Sequence, residues 1–352
     1  MTETARSHGG AGGRRVKIGL MSFAHPHAVS YARALTSRLD VTVLACDPDH
    51  AVRPAGESGG PELAASLGVD YVDSYAALLD WGPDGVVVCS ENQRHRELVE
   101  QAASAGVHVL CEKPLATTLA DARAMIDSCA AADVSLMVAY PVRFSPVFAA
   151  LRSAHAAGAL GVVRAVSGTN NGQIPMGSRA WFVDPELAGG GALMDHTVHL
   201  ADLVDCLFDG TPAVSVYAAT NALLHAGRVS VETGGLVSVR YANGVIACFD
   251  CSWSKPDSYP TWGGLTLQLT GTEGVADLDA FSSRVSGHSA SGGDLWLPYG
   301  TDTDQLLVEE FVAAIRSGRR PQPDGEVGYR TLEIALAGYR SASTGQPVDL
   351  VP

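Results

Sequence analysis

Short apolar runs alternate with amphipathic helical stretches through the first half of the sequence, and this alternation constrains the fold more than any other feature. The runs are rich in β-branched residues and predict strands at Val16–Met21, Val41–Cys46, Gly85–Cys89, Val107–Cys111 and Val134–Ala139. Helical patterns lie between them at Pro26–Leu39, Gln93–Ala105 and Leu119–Ala132. Uninterrupted apolar strands are typical of parallel sheets covered by helices on both faces. The first half therefore predicts a doubly wound parallel sheet, whose ligands bind beyond the carboxyl ends of the strands.

The second half of the sequence has a different pattern. Leu236–Tyr241 and Val245–Phe249 flank Ala242-Asn-Gly244, which predicts a β-hairpin with a type I′ turn. Another strand is predicted at Leu265–Thr270, whereas the Gly- and Ser-rich stretch Ser282–Gly293 is predicted to be a loop. An antiparallel sheet after a parallel one implies a separate second domain. We expect a disordered tail at 1–15, a first domain at 16–140 and a second at 141–352.

The charge balance argues against two classes of partner. The formal net charge is −14 at pH 7, so the surface repels phosphate backbones and anionic lipids, and we expect neither nucleic acid nor a membrane as a partner. No apolar run approaches the roughly 20 residues that cross a bilayer, and the Gly- and Arg-rich start lacks the apolar stretch of a secretory signal. Seven cysteines scattered through apolar segments are typical of reduced, buried thiols, and we expect a cytoplasmic protein.

The loop after the first strand is an incomplete version of a glycine-rich phosphate loop. The pattern Gly-x-Gly-x-x-Gly gives a tight turn, close backbone approach to a diphosphate and a helix N-terminus aimed at its charge. Ser22 and Ala24 are small enough to permit, in part, the tight turn and the close approach of the backbone to a diphosphate. Pro26 suits the start of a helix. His27 stands where the third glycine would lie. The predicted dinucleotide-binding residues of this loop are Ser22, Phe23, Ala24, His25 and His27. An ordinary strand-to-helix turn is the alternative interpretation.

Asp47 ends the second predicted strand, where a carboxylate accepts hydrogen bonds from the adenosine ribose of a dinucleotide. The same charge repels a 2′-phosphate, so the residue favours NAD over NADP. Arg53 is near enough in sequence to keep NADP open. The alternative is that Asp47 is a cap or turn residue before Pro48.

Three further sequence segments, none of them distinctive alone, form a distinctive combination. Ser90-Glu-Asn92-Gln-Arg-His95 follows the third strand, and Glu112-Lys113-Pro114 follows the fourth. A glycine run at Gly189–Gly191 precedes Asp195-His-Thr-Val-His199. In this order the segments resemble the glucose–fructose oxidoreductase, inositol dehydrogenase and rhizopine catabolism protein (Gfo/Idh/MocA) family. The likeness covers nearly the whole chain, from about Val16 to Pro347.

This resemblance implies an N-terminal Rossmann domain followed by an α/β domain with an open, mostly antiparallel sheet. It also implies a nicotinamide cofactor and hydride transfer at a hydroxyl-bearing carbon of a sugar, sugar derivative or cyclitol. Family members often associate through the open sheet, so a homo-oligomer, a dimer or tetramer, is expected. The sequence departs from the family at Glu91, where proline is common, and in its missing glycines.

Residue roles follow from the same resemblance. Lys113 is expected to hydrogen-bond the reacting hydroxyl and the cofactor ribose, His199 to be the acid/base, and Asp195 to orient the substrate and tune His199. The remaining residues of the two strand-tip segments are expected to border or support the cofactor: Ser90, Glu91, Asn92, His95, Glu112 and Pro114.

The chemistry of these side chains supports the roles independently. A neutral histidine suits proton transfer from an alcohol near neutral pH, and a lysine can stabilise developing alkoxide charge. Asp195 and His199 are four residues apart, hence on one helix face, where the carboxylate is expected to raise the pKa of the histidine. An exposed ion pair is the alternative interpretation.

The substrate site is visible only in outline. Flat apolar faces for sugar C–H groups are offered by Trp181, Trp253, Tyr259 and Trp262, and polar candidates are Arg143, Asn170, Asn171, Gln173 and Lys255. From these we take Arg143, Asn171 and Trp181 as substrate-binding, together with Lys113, Asp195, His196 and His199. A metal held by Asp195, His199 and a neighbouring histidine is conceivable, but no metal is predicted.

Three functions remain open at this stage. The leading one is an NAD(P)-dependent dehydrogenase or reductase acting on a CH–OH group. The second is a redox-neutral epimerase or eliminase that retains its NAD. The third is a non-catalytic regulatory protein that senses NAD or sugar; the incomplete glycine loop favours it, whereas the presence of Lys113, Asp195 and His199 argues against it.

Overall fold

The computed structural model describes residues 14–177, 179–290 and 293–350, with the side chains at 293 and 294 left out. The predicted tail at 1–15 lies almost wholly outside the described residues. No helix in the described part of the chain is long and apolar enough to cross a bilayer.

The first unit is a parallel sheet of six strands in the order β3–β2–β1–β4–β5–β6, which confirms the predicted doubly wound Rossmann fold. Its strands are β1 (Val16–Met21), β2 (Val41–Cys46), β3 (Asp70–Tyr71), β4 (Gly85–Val88), β5 (His108–Cys111) and β6 (Leu136–Val138). Its helices are α1 (His27–Thr36), α2 (Gly60–Ser66), α3 (Tyr75–Asp80), α4 (His95–Ser104) and α5 (Leu119–Ala131). The order reverses between β1 and β4, so the crevice for a ligand opens at the tips of these strands.

The second unit is a seven-stranded sheet in the order β12–β11–β7–β10–β9–β8–β15. All its neighbours are antiparallel except β7 and β10, so the predicted mostly antiparallel sheet is confirmed. Its strands are β7 (Val163–Gly172), β8 (Ala213–Asn221), β9 (Gly234–Tyr241), β10 (Ile246–Ser252), β11 (Gly263–Gly271), β12 (Val275–Asp279) and β15 (Val348–Asp349). The helices of this half are α6 (Pro146–Ala156), α7 (Pro185–Ala188), α8 (Ala192–Leu207), α9 (Thr303–Ser317) and α10 (Gly325–Thr344). Helices α8 and α10 pack on one face of the sheet.

Two local predictions in the second half need correction. The stretch Ser282–Gly293, predicted to be a loop, contributes β13 (Arg284–Ser289), which pairs with β14 (Gly293–Pro298) in a separate antiparallel hairpin. Small residues masked its strand pattern. The Asn-Gly turn does join β9 to β10, but Gly244 has a positive φ of 85° and Asn243 does not, so the turn is not type I′.

Helix α9 lies in the second half of the sequence but packs on the first sheet. Leu307 and Phe311 are fully buried in the same apolar cluster as β1, β2 and α1. Gly85 permits this approach, because a Cβ there would lie 2.7 Å from Ile315 and 2.9 Å from Phe311. Helix α9 therefore covers part of the first sheet from beyond residue 140, and the domain boundary at that residue stays a prediction.

The cysteines are all free thiols, and most are buried as expected. Two depart from this expectation: Cys206 is half-buried, and Cys248 is exposed because its position on β10 points to solvent while Cys251 points inward. The alternation of a strand explains the difference.

Candidate active site

A lysine from the first unit and a carboxylate from the second meet at the crevice. Lys113 lies two residues after the end of β5, and its Nζ lies 2.6 Å from Asp195 Oδ1 on α8. The other carboxylate oxygen accepts a hydrogen bond from Trp253 Nε1 at 3.2 Å and lies 3.1 Å from His196 Nε2. His199 lies one helical turn beyond Asp195 and is largely buried, with its ring edge-on to Tyr140 at 5.9 Å. The structure thus brings the three predicted catalytic residues together.

The glycine run before α8 fixes where this helix begins. The Glu232 carboxylate accepts hydrogen bonds from the backbone N–H groups of Gly191 and Leu193, each at 2.9 Å, and so satisfies donors at the helix N-terminus. Tyr339 also accepts from Gly191 N–H, at 3.0 Å. A Cβ at Gly190 or Gly191 would overlap Tyr339 or the Glu232 carbonyl, so both positions require glycine. This clamp positions the first turn of α8, which carries Asp195.

The catalytic residues open into a cavity of about 660 Å³ between the two units. Of the predicted site residues, those that line it are His25, His27, Lys113, Asp195, His196 and His199. Asn170 and Trp262 line it from the second sheet, beside an apolar wall that includes Phe182 and Phe281. Cavities of this size, with an apolar wall and a few convergent polar groups, are typical of small-molecule sites.

Burial and charge lower the pKa of His199 well below its usual 6.5, because desolvation and the nearby Lys113 ammonium both disfavour the imidazolium. Asp195 acts in the opposite direction but does not prevail, so the predicted rise in the pKa of His199 is wrong. Asp195 itself stays ionised: burial acts to raise its pKa, but Lys113 and His196 hold it well below 3.8. The site therefore presents a neutral imidazole beside a lysine–carboxylate pair.

Glu112 organises the loop that carries the lysine. Its buried Oε1 accepts a hydrogen bond from Tyr31 at 2.6 Å and lies 3.1 Å from His27 Nδ1, while its Oε2 accepts from the Lys113 backbone N–H at 3.1 Å. His95 supports the same loop, with Nδ1 lying 3.0 Å from the Pro114 carbonyl. These contacts place Glu112, His95 and Pro114 behind the lysine rather than in the cavity lining.

His25, His27 and Glu112 form a cluster whose possible metal-ligand atoms all lie within 4.8 Å of one another. Burial acts to lower the pKa of His27, but the carboxylates of Asp304 and Glu112 raise it to about 9. An imidazolium at this position repels a cation and pairs with Glu112. An internal ion pair therefore accounts for the cluster, and the absence of a metal stays a prediction.

The crevice at the strand tips fits a dinucleotide. Ser22 has a φ of 74°, the left-handed conformation that the first glycine of a phosphate loop adopts, so the loop keeps its tight turn. Three buried atoms near it, His25 Nε2, Glu91 Oε2 and Asn92 Oδ1, have no hydrogen-bond partner within the described ranges. Buried polar atoms of this kind are usually satisfied by a ligand or water.

The adenosine end of this crevice holds a buried ion pair between Asp47 and Arg53. Asp47 is buried and pairs with both terminal nitrogens of Arg53, at 3.0 and 2.7 Å, and its Oδ2 also accepts from Gly60 N–H at 2.9 Å. Burial acts to raise the pKa of Asp47, but Arg53 holds it below 3.8. The carboxylate that was expected to bind ribose is therefore already occupied by an arginine.

Other predicted cofactor residues lie around this end without lining the cavity. Phe23 and Ala24 offer their carbonyls to Arg179, at 3.1 and 2.8 Å, from the segment between β7 and α7. Ser90 donates to the Glu91 carbonyl at 3.2 Å, and Asn92 Nδ2 donates to the Ala188 carbonyl at 2.8 Å. The segment before α8 thus covers the phosphate loop.

Three residues predicted to bind substrate do not line the cavity. Arg143 pairs with the buried Asp202 at 2.7 Å, and Asn171 accepts from Ser252 Oγ at 2.8 Å. Trp181 packs against Phe182 and donates Nε1 to the Ala24 carbonyl at 3.0 Å, so it supports the phosphate loop. We therefore leave these three out of the substrate site.

Asn170 takes the place predicted for Asn171. Adjacent residues of a strand point to opposite faces, and in β7 the buried face belongs to Asn170. Its Nδ2 donates to the His196 carbonyl at 3.4 Å, which leaves Oδ1 without a protein partner among the described residues. The sequence 163–170 has no regular alternation of apolar residues that would have identified it.

Comparison with known proteins agrees with this geometry. Residues 18–140 match the family model described as oxidoreductase family, NAD-binding Rossmann fold, and residues 148–277 match the GFO/IDH/MocA C-terminal domain. The chain belongs to this oxidoreductase family, and its cofactor is NAD.

Relatives extend over most of the chain. The 1,5-anhydro-D-fructose reductase of Ensifer adhaerens is 29% identical over 95% of this chain and 97% of its own. D-xylose 1-dehydrogenase (NADP(+)) 2 of Haloferax volcanii is 31% identical over 85% of this chain and 91% of its own. Among solved structures, GenD2 from gentamicin A biosynthesis, in complex with NAD, shares the fold with a TM-score of 0.87 at 24% identity, covering 99% of this chain and 100% of its own.

Proposed function

We propose that this enzyme transfers hydride between NAD and a hydroxyl-bearing carbon of a sugar, sugar derivative or cyclitol, with His199 as the acid/base. The observation that carries the proposal is the convergence of Lys113, Asp195 and His199 on one cavity at the tips of the parallel strands. Relatives named as reductases and dehydrogenases of 1,5-anhydro-D-fructose, D-xylose and inositol support this substrate class.

The side chains divide the work of alcohol oxidation. NAD, when bound at the strand tips, would supply the acceptor for the hydride that leaves the substrate carbon. His199, neutral at physiological pH because its pKa is lowered by burial and by Lys113, accepts the hydroxyl proton. Lys113 stabilises the negative charge that develops on the oxygen, and Asp195 holds the ammonium in position at 2.6 Å. In the reverse direction His199 returns the proton.

The cavity walls supply the substrate contacts. Asn170 Oδ1, buried and free of protein partners within the described part of the chain, is placed to accept a hydrogen bond from a second hydroxyl. Trp262 offers a flat apolar face for C–H groups, and His196 lies beside it with a ring separation of 6.1 Å.

A substrate panel tests the proposal. The wild-type chain is incubated with NAD and a set of polyols, aldoses and cyclitols, and reduction is followed by nicotinamide absorbance. We expect stoichiometric NADH release with at least one of them, and transfer of deuterium from the labelled carbon. NAD bound through turnover without NADH release would favour the epimerase or eliminase, and tight NAD binding without any reduction would favour the sensor.

We also propose a homo-oligomer that works in the cytoplasm. The face of the second sheet away from its helices exposes large apolar side chains on neighbouring strands: Tyr217, Leu236 and Ile246. Large apolar side chains exposed on an open sheet face support association of copies of the chain. The free thiols support a reducing compartment.

A further inference from the structure

Arg53 fills the position at the crevice that the adenosine ribose needs. Its guanidinium contacts three groups from three strand tips: the Asp47 carboxylate, Ser22 Oγ at 2.7 Å and Glu91 Oε1 at 3.2 Å. Only 5% of the side chain is exposed. We name Ser22, Asp47, Arg53 and Glu91 the Arg53 cluster.

The cluster uses up the hydrogen-bonding capacity that would bind a ribose. A ribose diol donates two hydrogen bonds to a carboxylate at the end of the second strand. Asp47 Oδ1 accepts from Arg53 and from Ser22 Oγ, and Oδ2 accepts from Arg53 and from Gly60 N–H, so both oxygens are fully engaged around a bidentate pair. Ribose and guanidinium therefore compete for the same two oxygens.

Glu91, which stands where the family commonly has proline, strengthens the hold on Arg53 in this chain. Its Oε1 receives Arg53 Nε at 3.2 Å and holds the guanidinium in the seated orientation. Two carboxylates and one guanidinium leave the cluster with one net negative charge, and without Arg53 it would carry two. A 2′-phosphate approaching the cluster therefore depends on the arginine for neutralisation.

We propose that Arg53 is the residue that sets cofactor affinity and choice: seated, it blocks the adenosine ribose site of the free enzyme, and displaced, it is the group that tolerates a 2′-phosphate. The inference rests on the proposed NAD-dependent function and concerns binding alone. When the binding-competent state is a fraction of the free molecules, the apparent Kd rises by the inverse of that fraction, so an arginine seated in about nine molecules of ten weakens NAD about 10-fold.

Calorimetric titration of the purified full chain with NAD and with NADP tests the proposal. Arg53→Ala is expected to tighten NAD about 10-fold, because Asp47 no longer has to release an arginine, and to weaken NADP. Arg53→Lys retains the charge but cannot form the bidentate pair, so it is expected to tighten NAD while keeping wild-type affinity for NADP. Arg38→Ala is the matched control, since Arg38 pairs with Asp40 and Glu309 outside the crevice.

The outcomes separate this inference from the proposed function. Unchanged or weaker NAD binding in both Arg53 variants, with Arg38→Ala like wild type, overturns the inference and leaves a structural ion pair. If Arg53→Ala fails to fold, Arg53→Lys alone decides. Failure of the wild-type chain to bind either dinucleotide would instead overturn the proposed function.

Discussion

The two ends of the crevice pair their charges in opposite ways. At the reaction end, the Lys113–Asp195 pair lies beside an open cavity, with His199 free to act on a substrate. At the adenosine end, the Asp47–Arg53 pair fills the space that a ligand would use. The Lys113–Asp195 pair is in place before the ligands bind, whereas the Asp47–Arg53 pair must separate before the adenosine ribose can bind. The catalytic residues are therefore preorganised, whereas cofactor affinity is set by a displaceable side chain.

Replacing the imidazole of His199 is expected to have the largest effect, a loss of turnover at the reaction end. In His199→Asn no group can accept the hydroxyl proton, and kcat is expected to fall about 10²- to 10⁴-fold. NAD affinity should stay within about twofold, because the adenosine end is untouched. Steady-state kinetics and calorimetry measure both quantities, with His155→Asn on α6 as control. Wild-type turnover in the variant would remove His199 from the acid/base role.

Loss of the ribose carboxylate tests the adenosine end alone. Asp47→Ala removes the acceptors for the diol and leaves Arg53 free to meet a 2′-phosphate, so NAD is expected to bind about 10- to 100-fold more weakly. Discrimination against NADP should relax, and kcat at saturating cofactor should be retained. An unchanged ratio of the two Kd values would show that Asp47 is only a turn residue.

Trp253 is a positioning residue for the reaction end, because its indole N–H holds Asp195 at 3.2 Å. Trp253→Phe is expected to lower kcat/KM about 5- to 10-fold. The freed carboxylate charge should also raise the pKa of His199, moving the acidic limb of the pH profile upward. Trp81→Phe, at the end of α3 and outside the cavity lining, is the control. A loss of activity with no movement of the acidic limb would indicate packing alone.

The smallest expected effect is that of His27 on the pH dependence of thermal stability. Its pKa is raised to about 9 in the folded chain from 6.5 unfolded, so the stabilisation is complete below pH 6.5 and is lost as the pH rises through 9. The side chain is 35% exposed, which makes the effect modest. We expect Tm to fall between pH 6.5 and 9 by less in His27→Gln than in wild type. Parallel Tm curves for the two chains would contradict this assignment.

Periodicity predicted the parallel strands other than β3 and the strands β9, β10 and β11, but it missed β7, β8, β12 and β15 and could not predict the pairing of buried charges. The strand tips that carry Asp47, Asn92 and Lys113 were predictable because parallel strands end at one edge. Nothing in the spacing showed that Arg53 would fold back onto Asp47, since the five intervening residues allow many loop paths. Likewise, Arg143 looked available for substrate until Asp202, one of the residues of α8, was seen to bind it.

The direction in which the pKa of His199 shifts also could not be predicted from the sequence. The spacing of Asp195 and His199 predicted that the carboxylate would dominate, but burial and Lys113 decide the pKa of His199. Desolvation depends on tertiary packing, which no local pattern encodes. The same limit applies to β7, where the choice between Asn170 and Asn171 required knowing which face meets α8.

Helix α9 has a consequence for how the chain is made. The ribosome delivers β1 to β6 long before residues 303–317 emerge, so the apolar face of the nascent first sheet that α1 covers in part lacks the side chains of α9 until late in synthesis. A fragment ending at residue 140 should expose Leu20, Val87 and Leu110 to water and aggregate. Grafting this cofactor-binding half onto another enzyme would require carrying Leu307, Val308 and Phe311 along with it.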